Sequence, residues 1–236
     1  MAQEIKPLPG VGGRAHGGHH GEEHSAFLQH HFATMDQQTE AGKLGMWIFL
    51  VTEVLLFGGL FAGYALMFSS HPEAFHEGHH HLDVKMGVIN TAILIFSSLT
   101  MALGVRAAQT SNKAALIKYL IVTFACACGF LVVKFFEYSH KWHEGLLPGK
   151  FYSYVDPSGH ASDPFIGTYF SFYFMMTGLH GIHVLIGMSA IAWILWRALK
   201  GQFDSEYNAP VEITGLYWHL VDLIWIYLFP LLYLVR

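Results

Sequence analysis

The sequence predicts an all-α integral membrane protein with five spanning helices. Three observations carry this. Of its 236 residues, 53% are hydrophobic and only 13% charged, and mean hydropathy is +0.37. Five apolar runs approach or exceed the roughly 20 residues needed to cross a hydrocarbon core about 30 Å thick. Those runs lack the charged face that a soluble amphipathic helix would show. The spans are read as approximately 44–68, 85–108, 114–138, 164–199 and 213–234.

Residues 1–43 are read as a separate His- and Gly-rich tail, mobile and cytoplasmic, with a short amphipathic helix near 25–38. It holds His16, His19, His20, His24, His30 and His31. It has no apolar core of the secretory type, so no cleaved signal is expected and the first span inserts as its own signal. The loop after the first span adds His71, His76, His79, His80 and His81. These histidines lie in stretches read as flexible, without carboxylates or cysteines at a ligand spacing, so no metal site is expected.

The first span, LGMWIFLVTEVLLFGGLFAGYALMF, carries Glu53 about 14 Å along the helix. Its Gly59 and Gly63 form a GxxxG, which permits close helix approach. The second span offers Asn90, Ser97, Ser98 and Thr100 for hydrogen bonds across a helix interface. The third contains Cys126 and Cys128, two apart and so unable to pair, and ends with Lys134, Glu137 and Lys141 on one side. There Lys134 and Glu137 read as a structural ion pair. The loop from His140 to Asp163, with Pro148, Pro157 and Gly159, is expected to cover the outer face. The fourth span is the longest. It places His180 and His183 near its middle on one face, with Gly178, Gly181 and Gly187 leaving room for a neighbour. The fifth carries His219 and Asp222, again on one face.

Lys6, Arg14, Lys43, Arg106, Lys113, Lys118, Arg197 and Lys200 lie at or near one set of helix ends. The opposite loops hold only Lys85, Lys141 and Lys150, with Arg236 at the end. This bias places the N-terminus in the cytoplasm and the C-terminus outside. Trp47, Trp142, Trp196 and Trp218 are read as an aromatic belt. The formal charge of −4 argues against a nucleic-acid partner.

Ionisable groups inside lipid are expensive and mark function or cross-helix bonding. The candidate residues are Glu53, Glu137, His180, His183, His219 and Asp222, with Glu53 expected to bond His183 rather than His180. Three readings stay open at this level. The groups hold together a subunit of a larger complex; or His180, His183 and His219 bind haem; or Glu53 and Asp222 carry protons or ions in a small transporter.

From residue 42 onward the chain resembles subunit III of the haem–copper cytochrome c oxidases. The resemblance rests on TEVLLFGGLFAGYA around Glu53, Asn90–Thr91, FFEYSH around Glu137, TGLHGIHVLIG around His180 and His183, and YWHLVDLIWIYLF around His219 and Asp222. It implies a five-helix bundle of that type, in the bacterial inner membrane, packed on a catalytic subunit I whose haems and copper reduce oxygen to water. Subunit II, a small fourth subunit and a respiratory supercomplex are further implied partners. No redox cofactor or metal is implied in this chain. Bound phospholipids are implied, with Arg197 and Lys200 at their head groups, as is support of proton uptake. Glu53 falls on the family's carbodiimide-reactive carboxylate. Common members have seven spans, and this chain matches the last five. The resemblance also admits the subunit III of a quinol oxidase or of a nitric oxide reductase system.

Overall fold

The computed structural model describes residues 29–30, 32–148, 165–205 and 207–234. Most of the tail, and the loop residues 149–164 with Pro157 and Gly159, lie outside these. The tail histidines other than His30 lie there too.

Among the described residues there are six helices and no strand: α1 (Met35–Ser70), α2 (Pro72–His80), α3 (Val84–Gln109), α4 (Lys113–His143), α5 (Ile166–Leu199) and α6 (Ala209–Tyr233). All but α2 are long and apolar enough to cross a membrane. The first begins at Met35, ahead of the apolar run, and at about 54 Å it extends past any bilayer core.

The described part of the first 38 residues belongs to a small unit of its own. Gln38 Oε1 accepts from the Gln29 amide at 2.8 Å, and Thr34 Oγ1 accepts from the Gln37 amide at 3.2 Å. In the main unit, α3 lies most extensively against α4, and α6 packs on α3 and α5. Short side-chain caps start the inner helices. Asp83 accepts from the Lys85 amide at the head of α3, and Asn112 from the Ala115 amide at the head of α4.

The segment after α1, read as flexible, contains the helix α2, whose Ala74, Phe75 and Gly78 are buried. A Cβ on Gly78 would stand 2.4 Å from the Tyr169 ring of α5. Glycine there lets α2 lie flat on the end of the bundle, which explains how a polar sequence is held in place.

Close approach elsewhere falls at glycines other than the GxxxG pair. Gly187 meets Trp218 and Gly215 meets Val105, each at 2.8 Å from a notional Cβ, and Gly87 meets Phe229 at 2.6 Å. Gly59 has nothing within 4 Å and Gly63 touches only Phe172. The reason is that α1 is held off the bundle by aromatic side chains. Tyr64 packs edge-on to Phe75 at 5.1 Å and Phe172 at 6.1 Å, and Phe57 edge-on to His183 at 5.3 Å.

Trp47, Trp142 and Trp196 are exposed, as belt residues are. Trp218 is fully buried instead. Its indole N–H donates to Ser97 Oγ at 2.7 Å, which fixes it between α6 and α3.

Candidate functional site

Three groups of polar side chains inside the bundle contain the ionisable candidates that have partners or lie together. The most enclosed joins α4, α5 and α6. Lys134 Nζ donates to Glu137 Oε2 at 2.9 Å and to the Tyr233 hydroxyl at 2.8 Å. Glu137 Oε1 accepts from Tyr173 at 2.7 Å and, closer still, from Tyr233. The ammonium lies 4.6 Å from the Trp225 ring centre and 5.4 Å from the Tyr173 and Tyr233 ring centres. A charge taken from water needs a partner and further hydrogen bonds. Here both ions have them, along with cation–π contacts. The spacing of Lys134 and Glu137 predicts the ion pair; the two tyrosines, from distant helices, carry no local signal.

The second group joins α1 to α5. Glu53 Oε2 lies 2.8 Å from His183 Nε2, and His183 Nδ1 lies 2.8 Å from the Leu179 carbonyl oxygen of its own helix. A carbonyl can only accept, so Nδ1 carries the proton in that bond. If Nε2 is also protonated, the imidazolium forms an ion pair with the glutamate; if it is not, the glutamic acid donates to it. Either arrangement satisfies both groups with a single proton between them. Tyr217 of α6 donates to the His183 carbonyl at 3.0 Å, which adds a third helix.

His180 does not reach Glu53. Fully buried, it packs edge-on to Phe130 at 5.5 Å and tilted on Trp225 at 5.3 Å, and neither ring nitrogen has a hydrogen-bond partner among the described residues. His219 lies elsewhere, with Nδ1 2.7 Å from Ser98 Oγ on α3.

The third group is this His219–Ser98 pair together with Asp222. Asp222 is 2% exposed, whereas His219 and Glu53 are half-buried, at the edge of the helix packing rather than enclosed by it. Nearby, Thr100 of α3 and Thr123 of α4 share a hydrogen bond of 2.8 Å, and Trp225 donates to Thr91 at 3.0 Å. Of the four polar residues noted on α3, Asn90 stands apart. It is fully buried, with neither amide atom paired among the described residues.

Four basic residues of one end have partners within the chain. Lys43 pairs with Glu212 at 2.7 Å, and Gln109 donates to the same carboxylate at 2.6 Å. Lys113 donates to the Leu199 carbonyl at 2.9 Å. Arg197 is engaged by Gln202 at 2.7 Å and Tyr207 at 3.2 Å, and Lys200 lies over the Trp196 ring at 3.4 Å. At the opposite end Lys141 donates to the His81 carbonyl and tethers α4 to the turn before α3.

The family model described as Cytochrome c oxidase subunit III matches residues 146–235. Over 193 residues the chain is 33% identical to a "Cytochrome c oxidase subunit 3" of Thermostichus vulcanus, covering 81% of this chain and 86% of that protein. Over 212 residues it is 28% identical to a "Probable quinol oxidase subunit 3" of Staphylococcus aureus, covering 88% and 97%. Five membrane-length helices, and relatives aligned along most of their length, make this a multi-pass protein of a bacterial membrane and a subunit III of a haem–copper oxidase, an oxidoreductase complex. The chain belongs to the cytochrome c oxidase subunit III family.

Proposed function

We propose that this chain is the non-catalytic core subunit III of a proton-pumping cytochrome c oxidase in the bacterial cytoplasmic membrane. The observation that carries the choice of donor is the 33% identity, over four-fifths of the chain, to a relative named for cytochrome c. The quinol oxidase reading is favoured by the longer, 212-residue match to a relative named for quinol. The donor site lies on other subunits, so the two relatives compete only through overall likeness.

In this reading the chain packs on subunit I, which with subunit II carries the haem and copper chemistry; a small fourth subunit and a supercomplex complete the assembly. The chain itself contributes buried hydrogen bonding. Glu53 and His183 form a hydrogen bond between α1 and α5 and join a helix that otherwise touches the bundle mainly through aromatic rings. The basic end carrying Lys43, Lys113, Arg197 and Lys200 faces the cytoplasm, where Lys and Arg are retained. Arg197 and Lys200 there meet anionic phospholipid head groups. Acyl chains fit the apolar groove of about 300 Å³ between α1 and α6, lined by Val54, Phe57, Gly58, Phe61 and Leu220 among others.

Purification of the tagged chain in mild detergent tests this. A haem–copper subunit should co-purify, and the complex should consume oxygen with reduced cytochrome c and not with a quinol. Oxygen uptake with quinol alone selects the second reading. A colourless chain without a large partner ends both.

A further inference from the structure

Two open depressions meet along the line between α3 and α6. One, of about 420 Å³, is bordered by Gln109 at the end of α3, Glu212 in the first turn of α6, and Lys43 and Trp47 of α1. The other, of about 390 Å³, has walls of Ile95, Leu99, Leu223 and Ile226 and includes Ser98 and Asp222. Ala102 and His219 border both, so the two form one trench. Asp222 stands about 20 Å along α6, near its middle.

Asp222 has an unusual position. Its side chain is almost wholly withdrawn from the surface, yet among the described residues neither carboxyl oxygen has a hydrogen-bond partner of normal geometry. Ser98 is close enough to influence it, but that hydroxyl is already 2.7 Å from His219 Nδ1. If His219 supplies the proton between them, Ser98 gives Asp222 one hydrogen bond at most. A carboxylate has about four acceptor sites. Leaving a buried polar group unmatched costs about 1–3 kcal/mol, and more if it is charged. Acids in membrane spans meet this by pairing. No such pair forms among the described residues, and the trench opens on the side where one would enter.

We propose that the α3–α6 trench seats a transmembrane helix of the catalytic oxidase subunits, and that a hydrogen-bond donor on that helix reaches Asp222 beside the His219–Ser98 pair. The proposal rests on the subunit III reading and specifies which face docks. An acyl chain has no donor, and a lipid head group stays at the interface, about 20 Å from the acid. The α1–α6 groove shows the contrast, being lined by apolar side chains and the Tyr227 ring without any carboxylate. Ile95 and Leu99 are 53% and 56% exposed, and Leu223 and Ile226 are 49% and 45% exposed. These give the apolar walls that packing between membrane helices requires.

The test uses the whole complex, purified in mild detergent, with p-benzoylphenylalanine replacing Ile226 or Leu99 in turn. Phe135 on α4, 70% exposed, is the control position. Irradiation is expected to join the chain to the haem-binding subunit from Ile226 and Leu99 and not from Phe135. Adducts to lipid only, to a second copy of the chain, or to the catalytic subunit from Phe135 alone would overturn the proposal. In a second arm, Asp222→Leu should lower retention of the chain on dilution by on the order of 3- to 20-fold, the range of one intramembrane hydrogen bond. Asp222→Asn should lower it less, and equal retention of all three forms would again overturn it. If no haem–copper subunit accompanies even the unsubstituted chain, the oxidase reading falls as well. An intact complex without trench adducts defeats the docking alone.

Discussion

The cluster around Glu137 and the trench around Asp222 hold the same kind of residue in opposite conditions. Glu137 accepts from Lys134, Tyr173 and Tyr233 on three helices and is closed off from any ligand. Asp222 is as deeply buried but has no hydrogen bond of normal geometry among the described residues, and it sits in an open trench. One acid is complete within the chain; the other is complete only in company. Burial alone therefore does not assign a role to a membrane carboxylate. What decides is whether its lone pairs are filled from within.

The largest effect is expected from Glu137→Ala. It leaves Lys134 buried with one tyrosine hydroxyl, and breaking a buried pair costs about 3–5 kcal/mol. Thermal unfolding of the purified chain in detergent reads this loss. In the same isolated chain Asp222→Asn should cost under about 1 kcal/mol, because it removes no bond of normal geometry. Equal destabilisation by the two would break the comparison.

A smaller effect is expected where packing replaces polarity. Gly187→Val drives a side chain into Trp218, which is itself pinned to Ser97, and should cost about 1–3 kcal/mol. Gly59→Ala, with open space around it, should leave the melting temperature unchanged within error.

Glu53→Gln comes next. The amide still bonds the His183 ring, so assembly and most oxygen uptake by membranes should survive, with a stability loss below about 1 kcal/mol. Complete loss of oxygen reduction in a fully assembled complex would make Glu53 part of the chemistry and set it apart from Glu137 and Asp222 alike.

The smallest effect lies outside the spans. Burial, and then the Lys141 ammonium beside it, push the His81 imidazole below its ordinary value of 6.5. The unfolded chain therefore binds the proton more readily than the folded one as pH falls through the range just below 6.5. Folding stability should decline there, and His81→Gln should flatten that decline. Detergent melts between pH 5 and pH 8 would show it, and an unchanged slope in the variant would remove His81 from the account.

Much of the site was legible in one dimension. Glu53, Glu137, His180, His183, His219 and Asp222 stand out because ionisable groups are rare in apolar runs, and the Lys134–Glu137 pair follows from helical spacing alone. The partners were less legible. His180 and His183 lie three apart, about 60° around the helix, so the sequence assigns both to one broad face. The path of α1 past α5 separates them. His183 meets Glu53, while His180 turns to Phe130 and Trp225.

Trp218 shows the same limit from the other side. Its position near a span end suits an interfacial belt, and only the close approach of Gly187 and the hydroxyl of Ser97 bring it inside. α2 likewise has a polar, histidine-rich sequence that local rules assign to a loop. It is a helix because Gly78 lets it settle on Tyr169.

The sequence by itself determined the five membrane helices and the residue types inside them. An apolar run of bilayer length has one low-energy form, the helix that satisfies its own backbone. The tertiary structure alone decided which polar groups meet, which glycines bring helices together and which acid remains open. Those outcomes depend on helix rotation and crossing, set by side-chain contacts between segments far apart in the chain.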